Sequence, residues 1–188
     1  MFESVQVPDQ LQCHLERFLR HWQSAASPES QAALAQVLAQ RPELTAELAK
    51  AIIGSEFIAG YCLSQPAAFT DLLESGLLHR GLDDAAVRDY LAAQLDASEE
   101  AAFDRSLRLC RRDFMVRIIW RDLNRLSTLQ DTTRELSTFA SACIQAAMDF
   151  HYLQLARQRG VPFGPNGVAQ PMLVLGMGRG LDIAAALV

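Results

Sequence analysis

A chain of 188 residues with 50% hydrophobic, 21% charged and 7% aromatic side chains has a globular composition, which excludes disordered and collagen-like classes. Its net charge of −5 argues against a general nucleic-acid binder, whose surface would be basic. No run approaches the roughly 18 apolar residues of a membrane span, because even 114–120 is broken by Arg117; residues 1–8 include Glu3 and no leader pattern, so a cytoplasmic protein without membrane contact is expected.

The first helix is predicted from Pro8 to Trp22, where Leu11, Leu15, Phe18, Leu19 and Trp22 recur on one face. Ser27-Pro28-Glu29 supplies an N-cap, a preset φ and an anion at the positive end of a second helix. Arg41-Pro42-Glu43 restarts the chain toward Lys50. Ser55 caps a short helix through Tyr61, and Gln65-Pro66 interrupts it. Phe69, Leu72 and Leu73 continue the pattern to Gly76, a C′ residue. Asp83 or Asp84 then caps a helix carrying Val87, Tyr90, Leu91 and Leu95.

Two longer helices follow. The first, 98–127, has Phe103, Leu107, Cys110, Phe114 and Ile118 at helical steps; the second, 132–159, has Leu136, Phe139, Cys143, Ala147 and Phe150. The short 129–131 connection predicts antiparallel pairing. Residues 160–167 concentrate glycine and proline and mark a boundary, after which 171–175 reads as a buried apolar strand and 176–178 as the tight turn leaving it. The expected organisation is a helical region, 1–160, followed by a linker and the start of an α/β unit, 161–188.

Cys13, Cys62, Cys110 and Cys143 sit among apolar neighbours at spacings unlike CxxC and read as buried free thiols. His14, His21, His79 and His151 form no zinc-binding pattern, so no metal site is expected from them. Arginines crowd one helix at Arg105, Arg108, Arg111 and Arg112. Arg117, Arg121 and Arg125 then follow at four-residue steps along one stripe. That stripe is either an anion or partner contact or a solvated face balanced by Asp104, Asp113 and Asp122. Trp120, Phe114, Met115 and Met148 read as core. The glycines at 176, 178 and 180 fail the dinucleotide fingerprint because Leu181 holds its last glycine position, and no Gly-Lys-Ser or Gly-Lys-Thr makes a Walker A loop.

Three segments carry a more specific likeness: Ser55-Glu56-Phe57-Ile58 ahead of Pro66; Arg108-Leu109-Cys110-Arg111-Arg112-Asp113-Phe114-Met115-Val116-Arg117-Ile118-Ile119-Trp120-Arg121-Asp122-Leu123; and Gln170-Pro171-Met172-Leu173-Val174-Leu175-Gly176-Met177-Gly178. Together they resemble glutamine synthetase adenylyltransferase, across about residues 45 to 178. The resemblance implies a mainly α fold, a multi-helix bundle followed by the first strand and turn of a nucleotidyltransferase domain like that of DNA polymerase β. In that family one such domain removes AMP from a glutamine synthetase tyrosine by phosphorolysis and a second transfers AMP from ATP to it. Mg²⁺, ATP and inorganic phosphate are thereby implied, with glutamine synthetase and the nitrogen-regulatory PII protein as partners.

Gly176 and Gly178 match the family's phosphate-binding turn, with Arg179 where the family has lysine; these three are the nucleotide-binding candidates. The family continues with Lys-Leu-Gly-Gly and a metal-binding Ser-Asp-x-Asp, whereas here Asp182 is followed two positions later by Ala184. One carboxylate does not make a two-metal clamp, so no catalytic or metal residue is assigned, and the chain alone is expected to be an inactive N-terminal fragment, truncated, frame-shifted or separately encoded. The alternative is a non-catalytic helical module that binds glutamine synthetase or a complementary piece of the enzyme through Arg117, Arg121 and Arg125.

Overall fold

Local signals in the sequence set nearly every helix boundary. The structure, a computed structural model, describes residues 2, 8–172 and 174. It divides into two units, Met1–Gly81 with Arg111–Thr133, and Leu82–Cys110 with Arg134–Val188.

In the first unit, α1 (Asp9–Ala25) buries Leu15, Phe18 and Trp22. Ser27 caps α2 (Pro28–Gln40), its Oγ accepting the Ser30 N–H at 3.2 Å, and Pro28 fills the first helical position where a missing N–H costs nothing. α3 (Glu43–Gly54) buries Leu44, Leu48, Ala51 and Ile52. α4 (Glu56–Ser64) starts at Ser55, whose Oγ accepts the Ile58 N–H at 3.3 Å; α5 (Pro66–Glu74) starts at the proline. α1 packs on α3 and α4, α2 on α3 and α5, and α4 on α3 and α5. Each fully buried leucine or phenylalanine contributes roughly 1.5–3 kcal/mol, which holds these short helices that would not persist alone. Gly76, at φ +70, reverses the chain after α5, a left-handed conformation that glycine adopts without a Cβ penalty.

The arginine-rich helix α7 is shorter than expected, Glu100–Leu123 rather than 98–127. Its end is a Schellman motif: the Leu126 N–H donates to the Arg121 carbonyl at 2.8 Å and the Arg125 N–H to the Asp122 carbonyl at 3.0 Å, with Arg125 at φ 58. A glycine usually occupies that position, so the sequence carried no stop signal there. α8 (Leu129–Arg159) starts earlier than the expected 132. Thr128 and Asp131 form a reciprocal capping box, with the Asp131 N–H on Thr128 Oγ1 at 3.1 Å and the Thr128 N–H on Asp131 Oδ2 at 3.3 Å. The supposed connection 129–131 is therefore the first helical turn.

In the second unit, Asp83 caps α6 (Asp84–Gln94) by accepting the Ala86 N–H at 2.8 Å. The rings of Phe103 on α7 and Phe150 on α8 stack at 4.2 Å, the antiparallel pairing that the sequence predicts. Leu136 is half-buried, and the buried neighbour is Glu135. Cys62 and Cys110 are buried as expected, but Cys13 is exposed and Cys143 half-buried.

Gly160, at φ +84, ends α8. Residues 162–170 form a tight loop closed by a single antiparallel bridge between Phe163 and Ala169, with the Gln170 N–H on the Pro162 carbonyl at 2.8 Å. Of the expected strand 171–175, Pro171, Met172 and Val174 are not in a strand, and Leu173 and Leu175 lie outside the described residues. Among the described residues no helix is long and apolar enough to cross a membrane.

Candidate functional site

Residues 77–80 follow Gly76 and belong to no helix, so their carbonyls need donors from elsewhere. Two arginines of α7 supply them. Arg117 donates through Nε to the Leu77 carbonyl at 3.1 Å and through Nη2 to the Arg80 carbonyl. Arg121 donates through Nη1 to the Leu78 carbonyl at 3.3 Å and through Nη2 to the Leu126 carbonyl at 2.9 Å. Arg117 is 0% and Arg121 5% exposed. Guanidinium is suited to this because its planar fork directs several N–H groups at once.

The stripe of Arg117, Arg121 and Arg125 is thus not a continuous solvated face. Two of its members are buried against main chain, and only Arg125 is exposed. The earlier arginines Arg105, Arg108 and Arg111 are exposed, while half-buried Arg112 lies over the Tyr61 ring at 5.0 Å. Tyr61 in turn donates to Asp113 Oδ1 at 2.8 Å.

Beside the braced segment lies a polar cluster that the sequence did not reveal. Glu47 Oε2 accepts from Trp120 Nε1 at 3.0 Å and pairs with His79 Nε2 at 2.8 Å. Arg41 Nη2 meets His79 Nδ1 at 3.1 Å, and Arg41 Nη1 donates to the Leu73 carbonyl at 2.9 Å. Guanidinium only donates, so in this arrangement Nδ1 is the acceptor and Nε2 carries the proton given to Glu47. Both ring nitrogens are engaged, which makes His79 a connector between α3, the 77–80 segment and α7 rather than a base open to substrate. Asn124 Nδ2 adds a 3.1 Å bond to the Trp120 carbonyl.

In the second unit, buried Glu135 accepts the Leu82 N–H at 3.2 Å, and Arg134 donates to the Leu82 carbonyl at 3.1 Å and to Asp84 at 3.0 Å. Hydrogen bonds from Thr138 and then Arg134 hold the Asp84 carboxyl below the usual carboxylate range.

Gly176, Gly178 and Arg179, together with Asp182, lie outside the described residues. Among the described residues no three His, Cys, Asp or Glu side chains converge on a point that would hold a metal.

Comparison with known proteins agrees with the motifs. Residues 45–181 match the family model described as glutamate-ammonia ligase adenylyltransferase. A bifunctional glutamine synthetase adenylyltransferase/adenylyl-removing enzyme of Pseudomonas aeruginosa is 35% identical over 158 residues, covering 83% of this chain and 16% of that protein. Its namesake in Thioalkalivibrio sulfidiphilus is 33% identical over 174 residues, 92% of this chain and 17% of the relative. That of Nitrosococcus oceani is 41% identical over 128 residues, covering 66% and 13% respectively. The chain thus spans about a sixth of the length of the first two relatives. No solved structure matches.

Proposed function

The chain belongs to the glutamate-ammonia ligase adenylyltransferase family, and on that premise we propose that it is a helical region of the enzyme that adenylylates and deadenylylates glutamine synthetase. Residues 1–160 form the helical part, and 161–188 are the linker and the start of the adenylyl-removing nucleotidyltransferase domain, in which 171–175 would become a strand only beside the rest of that domain. ATP, Mg²⁺ and inorganic phosphate serve the complete enzyme, with glutamine synthetase as the protein substrate and PII as the regulator, all in the cytoplasm. The observation that carries this reading is the family match over residues 45–181, a span that takes in α4 to α8, nearly all of α3 and the 162–170 loop.

The 188 residues by themselves catalyse neither reaction. Gly176, Gly178 and Arg179 are the residues we assign to nucleotide phosphates, but a lone Asp182 followed by Ala184 leaves no carboxylate pair for the metal. Within the arginine stripe, Arg117 and Arg121 brace residues 77–80, and Arg125, which is exposed, is the member available to a partner.

A graft tests the reading. Replacing the matched 158 residues of the P. aeruginosa relative by their equivalents here is expected to preserve adenylylation and deadenylylation of glutamine synthetase within about tenfold, since a 1.4 kcal/mol difference is a factor of ten. A folded graft devoid of both activities contradicts it.

The second reading, a non-catalytic helical module binding glutamine synthetase or a complementary piece of the enzyme, is favoured by the exposure of Arg125 and of the arginines at 105, 108 and 111. Its mark is retention of glutamine synthetase by the isolated chain, weakened at least several-fold by Arg125→Glu as expected for a rim charge.

A further inference from the structure

Four of the described arginines are not exposed, and three of them spend their guanidinium on main chain: Arg41 on the Leu73 carbonyl, Arg117 on those of Leu77 and Arg80, and Arg121 on those of Leu78 and Leu126. Arg112 is the fourth, and among the described residues it donates no hydrogen bond. Its Nε is buried 3.6 Å from Asp113 Oδ1, too far for one, and that oxygen already accepts the Tyr61 hydroxyl at 2.8 Å. The side chain keeps 29% of its surface, at the Nη1 and Nη2 end.

The ring beneath holds this free fork in place. Arg112 lies 5.0 Å over the centre of Tyr61, and Tyr61 is itself buried, edge-on to Phe69 at 6.3 Å and tied by its hydroxyl. One turn earlier on α4, Phe57 is 46% exposed although its neighbour four residues on is core. Gly60 adds open surface beside it, since nothing lies within 4 Å of the place where a Cβ would stand. Arginine and exposed aromatic rings are the side chains that interfaces concentrate.

We propose that Arg112, Phe57 and the open surface at Gly60 form a docking site for a short acidic segment of a partner protein. Its carboxylate takes the two free nitrogens of Arg112, and the apolar side chain next to that carboxylate packs on Phe57. A guanidinium fork matches a carboxylate with two parallel N–H bonds. Asp113 stands 3.6 Å from the same guanidinium, so a phosphate dianion would meet about twice the repulsion that a carboxylate does. Size excludes a second copy of the chain. The nine residues of α4 span about 14 Å, and one side of so short a helix falls far below the ~800 Å² per partner of a stable interface. The site is built wholly within the first unit and depends neither on Arg125 nor on the reaction that the complete enzyme performs.

A peptide titration followed by NMR tests this on the 188-residue chain. The probe is acetyl-Gly-Gly-Glu-Leu-Gly-Gly-amide, which has one carboxylate and no charged end. It is expected to shift the Gly60 amide and the Arg112 side-chain N–H signals with a dissociation constant of about 1 mM, weak but measurable. Glutamine in place of its glutamate should weaken binding at least about tenfold, because the charge-assisted pair is lost. Arg112→Lys should weaken it at least about fivefold, since an ammonium has no fork, and Phe57→Ala at least about threefold.

The glutamine comparison uses the parent chain and stands even where a variant misfolds. No shift at Gly60 or Arg112 up to about 10 mM peptide, or equal affinity for the glutamine peptide, overturns the proposal. Equal affinity of a folded Arg112→Lys chain does the same. A phosphoserine peptide that binds more tightly than the glutamate one would make this a phosphate site, and a parent dimer that Phe57→Ala dissolves in sedimentation would make it a self-association surface; either result overturns the assignment.

Discussion

Trp120 Nε1 donates to Glu47 Oε2 at 3.0 Å, joining α7 to α3 across 73 residues of sequence. Trp120 is 0% exposed, and Glu47 binds His79 through the same oxygen. Glu47→Ala therefore leaves a buried indole N–H without its acceptor and is expected to destabilise the chain by about 2–3 kcal/mol in urea unfolding. A loss under about 0.5 kcal/mol, the usual effect of a surface change, would mean that the cluster is incidental.

Arg117 is the most deeply placed charge described, and its fork serves two carbonyls of the 77–80 segment. Arg117→Ala is expected to cost about 3–5 kcal/mol, since buried donors leave and their acceptors stay. Arg117→Lys should recover little of this, because an ammonium does not reproduce two diverging N–H directions. Equal stability of the lysine variant and the parent in denaturant titration would contradict the bracing role.

Arg125 carries the opposite expectation. Its φ of 58 is strained for a side chain with a Cβ, and the position is the C′ of a Schellman motif. Arg125→Gly should stabilise the chain by roughly 0.5–1 kcal/mol, whereas Arg125→Val should destabilise it. Ranking the two midpoints checks the sign directly.

Asp84 predicts a pH dependence. Thr138 and Arg134 stabilise its ionised form, so its pKa in the folded chain lies below the unfolded value. The resulting stability is present above the ordinary carboxylate pKa and is lost as pH falls through the lowered folded value. The gap in stability between parent and Asp84→Asn should accordingly narrow on acidification from pH 7. A gap that widens would show that the carboxylate is not held in this way.

Local signals made most of the helical fold legible. Ser27-Pro28, Ser55, Pro66, Asp83, Gly76 and Gly160 each act within a few residues of themselves, and each sits at the boundary its chemistry predicts. Thr128-Leu-Gln-Asp131 is also a readable start signal, hidden because apolar periodicity begins only at Leu136. The end of α7 was illegible, since an arginine stands where glycine would announce the stop. So were the polar anchors. Nothing in the spacing of Glu47, His79 and Trp120, or of Glu135 and Leu82, indicates that they meet, because only tertiary packing brings them together. The arginine stripe misled for a related reason. Four-residue steps define a shared helix face, but the unpaired carbonyls of another segment decided that Arg117 and Arg121 would be buried.

The proposed role, a helical region of this family that does not remove AMP by itself, is open to one assay. The purified 188-residue chain, incubated with adenylylated glutamine synthetase, inorganic phosphate and Mg²⁺, is expected to release no more AMP than an enzyme-free control. Phosphate-dependent removal of AMP, abolished by a metal chelator, would overturn the proposal.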